Sequence, residues 1–80
     1  LKFNGDYMKK EIVIGFHRGS PIIEEGVLIK TADPAITGRI FEVEGMFFVK
    51  DDKESEVAVK RFNRLSDAVV YCQPKGLVWN

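Results

Sequence analysis

The chain has 80 residues, 45% of them hydrophobic and 30% charged, with twelve basic residues balancing twelve acidic ones. That length holds one domain, residues 1–80, and leaves no room for a second core. A domain this small buries only about 60% of its unfolded surface, so a stability of a few kcal/mol and help from a partner or a larger parent protein are expected. Zero net charge removes the electrostatic case for direct duplex binding, so DNA would be reached only through a domain outside this chain.

Cys72 is the single cysteine, which excludes an internal disulfide and makes the reducing cytoplasm the expected compartment. No apolar run approaches the roughly 18 residues of a membrane span, and no signal peptide is recognisable, so no membrane association is expected. The chain opens on Leu1. It reads either as a fragment of a larger regulator or as a protein whose native start is Met8.

In chain order, the apolar residues fall in short β-branched and aromatic runs separated by glycine and proline about every ten residues, the pattern of an all-β barrel or sandwich. The predicted strands are Glu11 to Phe16, Val27 to Lys30, Arg39 to Glu44, Met46 to Lys50, Glu56 to Phe62, Ala68 to Cys72 and Leu77 to Trp79. No segment sustains a helical period, and none is predicted as a helix. Gly19-Ser20-Pro21 and Glu24-Glu25-Gly26 bracket a loop, because proline fixes φ and glycine permits positive φ. Thr31-Ala32-Asp33-Pro34 is a second turn. The polar run Asp51 to Ser55 joins two arms of a long antiparallel hairpin at residues 39–64, with Gly45 marking a bulge or bend in its first arm.

Within that hairpin Phe41 and Val43 alternate with Glu42 and Glu44, giving one buried and one wet face. On the return arm Val57 and Val59 share a face, and Ala58, Lys60 and Phe62 share the other. On pattern alone Lys60 is a solvated lysine whose stem covers apolar surface while its ammonium reaches water. Lys60, Arg61 and Arg64 are offset by Asp51, Asp52, Glu54 and Glu56, which argues against a nucleic-acid patch.

Four segments, in order, resemble the C-terminal domain of the LexA-type and phage-repressor-type self-cleaving regulators. LKFNGDYM (residues 1–8) is similar to the strand that leads into a Gly-Asp-Ser-Met motif, and GSPIIEEGVLIK (19–30) to a Pro-apolar-acidic-Gly loop and the strand after it. DPAITGRIFEV (33–43) resembles the family's Asp-Pro turn, glycine and strand, and EVAVKRFNR (56–64) resembles the strand that carries the family's lysine. The resemblance implies a small antiparallel barrel-like or sandwich fold in which Lys60 stands at the general base and Tyr7 at the nucleophile. A buried lysine loses its proton more readily and can deprotonate a serine hydroxyl. A phenol is a poor acyl acceptor, so Tyr7 does not support peptide cleavage and Lys60 becomes a vestigial base.

Ser20, Ser55 and Ser66 read as turn residues or caps. His17 stands without a second histidine, so no metal site is expected, and no cofactor motif is present. The leading expectation is a catalytically silent, peptidase-like dimerisation or interaction domain of a phage or bacterial transcriptional repressor, working as a homodimer or homo-oligomer. Phe47, Phe48, Leu77, Val78 and Trp79 are its candidate interface residues, with ordinary core as their competing role. Two alternatives stand beside it: a stand-alone small β protein that binds or inhibits another protein, and a residual Ser/Lys-type self-cleaving peptidase.

Overall fold

The computed structural model describes residues 9–73. Five strands, β1 (Lys9–His17), β2 (Ser20–Leu28), β3 (Ile40–Val43), β4 (Met46–Lys50) and β5 (Ala58–Phe62), are followed by one helix, α1 (Leu65–Cys72). Each strand pairs antiparallel with the next, giving a single sheet of order β1-β2-β3-β4-β5. The expected mainly β, antiparallel, barrel-like domain is what forms. The sheet curls far enough for its two ends to touch: the Val13 N–H donates to the Glu56 carbonyl at 2.9 Å, and Val13 and Val57 form a parallel bridge. The result is a half-barrel with one closed point and open edges beyond it.

Alternation divides the sheet into two faces, and both are covered. On the inner face Ile12, Phe41, Val43 and Phe48 are buried, with Ile14, Leu28, Met46 and Ala58 packed against them. On the outer face Ile40 and Val49 are buried together with Ile36 and with Ala68 and Cys72 of α1. Phe41 opposes Phe48, and Ile40 opposes Val49. The β3–β4 pair therefore supplies both halves of the core, and each fully buried aliphatic or aromatic side chain there contributes about 1.5–3 kcal/mol.

Several local expectations change. Residues 39–64 form three strands as predicted, but the first two fold back on each other as a hairpin of their own instead of running on as one arm. Gly45 is no bulge: Glu44 (φ 51°) and Gly45 (φ 84°) are the two central residues of the tight β3–β4 turn. Positive φ at both positions is what a two-residue hairpin turn needs to match strand twist. Arg18 (φ 53°) and Gly19 (φ 82°) make the same turn between β1 and β2. The residues bracketed as a loop between Gly19 and Gly26 are strand β2. Gly26 is buried where β2 crosses β3, and a Cβ there would lie 3.1 Å from Val43 Cγ2 and 3.2 Å from Phe41 Cβ.

Ala68 to Cys72 is helical, not extended. Its β-branched pair Val69-Val70 favours a strand locally, but the i, i+4 pair Ala68 and Cys72 places two small side chains against Ile36, Ile40 and Val49, and packing overrides propensity. On β5 the predicted alternation fails because the register with β4 shifts between Val49 and Lys50. Ala58 packs on the inner group while Phe62 packs on the outer one, its ring 5.5 Å from that of Tyr71. The Asp33-Pro34 turn forms as expected, with Asp33 Oδ1 accepting from the Ala35 N–H at 2.9 Å.

The Gly26 crossing makes a direct prediction. Gly26→Val adds branched bulk where a Cβ alone already crowds Val43 and Phe41, so urea unfolding should show a loss of about 1–3 kcal/mol, whereas an unchanged midpoint would contradict the close approach of β2 and β3.

Candidate functional site

The described residues present two lysines in contrasting settings and one projecting arm. Lys60, from β5, is exposed. It stands with Arg61 at the rim of an open pocket of about 320 Å³ whose walls are Ile14, Phe48, Ala58 and Val59. This pocket lies in the seam where β1 and β5 diverge past the Val13–Val57 bridge. Among the described residues neither Lys60 nor Arg61 has an ion-pair partner. Lys60 thus takes the solvated position that strand pattern alone assigns to it.

The buried lysine is Lys50, which sequence reasoning did not single out. It is 3% exposed. Its ammonium lies 4.9 Å from the centre of the Phe41 ring and donates to the Lys53 carbonyl at 3.1 Å. Burial, with a smaller contribution from Lys10, lowers its pKa below the ordinary 10.5, while Asp52, Glu56 and Glu54 oppose the shift. Val49-Lys50-Asp51-Asp52 reads as a strand ending in water. The only sequence signal for burial was the cluster of acids directly after Lys50, which tolerates a cation drawn inward. Lys50 fastens the 51–57 loop to the core by donating to the Lys53 main-chain carbonyl.

Arg39 makes the companion joint. Its Nε donates to the Lys50 carbonyl at 3.0 Å, and Nη1 reaches the Cys72 carbonyl at 3.5 Å, joining β4 to the C-terminal end of α1. A cation at that end also offsets the helix dipole. Burial pushes the Cys72 thiol above its ordinary range, and nearby Arg39 opposes the shift. A buried thiol with a raised pKa is a poor nucleophile.

The other predicted residues fall as follows. Tyr7, Leu77, Val78 and Trp79 lie outside the described residues. Phe48 is buried in the inner core and reaches the pocket wall, and Phe47 is half-buried against the outer group. Ser55 closes its loop by donating to the Val57 carbonyl and accepting from the Val57 N–H, while Asp52 Oδ1 accepts from the Glu54 and Ser55 N–H groups. Ser20 opens β2, Ser66 lies in the first turn of α1, and His17 ends β1. Among the described residues no three His, Cys, Asp or Glu side chains gather as metal ligands, and no helix is long and apolar enough to cross a membrane.

The third feature is the β1–β2 hairpin. The β2–β3 ladder pairs only Val27 and Leu28, so residues 20–26 have ladder partners on β1 alone. The Ile29 N–H donates to the Ile40 carbonyl, which fixes the odd-numbered residues of β2 as those whose main-chain groups point away from β1. Ile23 and Glu25 therefore present free donors and acceptors, and Pro21, which has no N–H, ends the series. Phe16 is 59% exposed, Ile23 51% and Ile22 39%.

Compared with known protein families, characterised proteins and solved structures, the chain matches none.

The Lys50 setting predicts a pH dependence. With a folded-state pKa below 10.5, the unfolded chain holds the Lys50 proton where the folded chain has begun to release it. Wild-type stability relative to Lys50→Met should therefore rise with pH through the alkaline range up to that value. Urea unfolding of both proteins at stepped pH measures it, and a flat or falling difference would contradict the burial of this charge.

Proposed function

We propose that the chain is a protein-interaction domain that pairs with a second copy of itself. The observation that carries this reading is the β1–β2 arm, which leaves the body of the sheet with an unpaired edge and with Phe16, Ile22 and Ile23 exposed together. Isolated surface apolar residues need no explanation. Phe16, opposite Pro21, shares a face with Ile23, and Ile22 lies on the other face; apolar side chains gathered at a free strand edge are what partners cover.

The more specific form of the proposal is a catalytically silent, peptidase-like dimerisation domain of a phage or bacterial repressor. It is supported by the likeness of residues 1–8, 19–30, 33–43 and 56–64 to the self-cleaving regulators. Pairing of protomers suits such a role, because two DNA-binding domains carried outside this chain would meet two half-sites together. Lys60 then serves no proton transfer, consistent with its exposure and with a phenol at residue 7.

Sedimentation equilibrium should give a mass that rises with protein concentration. Ile23→Ser and Phe16→Ser should each weaken the association about tenfold, the effect of losing one apolar anchor, with little change in the urea midpoint, since both side chains are largely in water in the monomer. A monomer mass at every concentration would contradict self-pairing.

A further inference from the structure

We propose that the second copy docks by laying the free edge of its β2 arm into the seam between β1 and β5, with Glu25, and Glu24 on the other face of the strand, bringing negative charge to Lys60 and Arg61. This deepens the self-pairing reading and rests on it. The seam offers an apolar wall from Ile14, Phe48, Ala58 and Val59 and two unpaired cations, Lys60 and Arg61, at its rim. Just ahead of β5, Glu56 and Val57 join Val13 by a hydrogen bond and a bridge, and no ladder pairs residues 58–62 with β1.

The arm carries the complement. Ile22-Ile23-Glu24-Glu25 is exposed throughout, apolar at one end and acidic at the other. Ile23 and Glu25 share one face of the strand, about 7 Å apart along it. With Ile23 against the apolar wall, that spacing brings the Glu25 carboxylate toward the cationic rim. The free main-chain groups of Ile23 and Glu25 face outward from the arm, as strand addition at an open sheet edge requires. The same chain therefore holds both halves of an oppositely charged contact.

Because arm and seam are different surfaces, each copy offers both, and charge exchange provides the test. Glu24→Lys with Glu25→Lys makes an all-basic contact between like copies, and Lys60→Glu with Arg61→Glu makes an all-acidic one. All four positions are exposed, and circular dichroism and urea unfolding confirm that each double variant folds. Each variant alone should associate at least about tenfold more weakly than wild type at low salt, since facing like charges are strongly unfavourable. Mixed in equal amounts, the two should recover wild-type association, because every contact between unlike copies is again acid against base. Added salt should weaken both the wild-type and the mixed association. Wild-type association that neither variant disturbs, or a loss that mixing does not restore, would overturn the arm-in-seam contact while leaving self-pairing standing. A wild-type monomer at all concentrations would overturn both.

Discussion

The β3–β4 hairpin is buried on both faces, and the rest of the molecule is arranged to cover it. Ile40 and Val49 face outward and are fully buried, while Phe41 and Phe48 face inward and are almost so. One layer cannot cover two faces. The outward pair is covered by Ile36 and by Ala68 and Cys72 of α1, and the inward pair by the curl of the sheet, which brings Ile12 and Ala58 over it. The Val13–Glu56 hydrogen bond records how far the curl must go. With so few buried side chains, the net stability left after ordering the backbone is small.

Two cations secure the end of this hairpin. Lys50 turns inward over Phe41 and ties the 51–57 loop through Lys53, and Arg39 ties the last residue of β4 to the last carbonyl of α1. Burying an ammonium is unfavourable unless it is hydrogen-bonded and balanced by charge. Here the Lys53 carbonyl accepts its hydrogen bond, and Asp52, Glu54 and Glu56 provide the balancing charge. The acids that in sequence look like solvated loop residues thus also act on a buried charge, while remaining exposed themselves.

Strands came through clearly in the sequence wherever alternation is strong and turns are marked by glycine: Met46 to Lys50 is a strand with the predicted bounds, and Phe41 and Val43 share the buried face. Expectations failed where one residue does something the pattern does not encode. Gly26 reads as a loop end because glycine usually marks one, yet it serves close approach of two strands. Val69-Val70 reads as a strand because β-branching outweighs a two-point helical period in so short a segment. The register shift opposite Lys50 has no sequence mark, and it changes which face each β5 residue takes. Of the candidate site, the strand pattern carries the exposure of Lys60, while its pocket depends on the gap between strands far apart in sequence.

A core concentrated in β3 and β4 leaves the β1–β2 arm with little to pack against, and in the proposed function this division of labour links the fold to self-pairing. The strands that are covered hold the domain together, and the strand edge that is uncovered is available to a second copy. Native-state hydrogen exchange at several protein concentrations tests this most directly. Amides of β3 and β4 should exchange only through global unfolding, and the outward amides of Ile23 and Glu25 should exchange rapidly in dilute solution and become protected as concentration rises. Strong protection of those two amides in dilute solution, or rapid exchange that concentration does not change, would contradict the account.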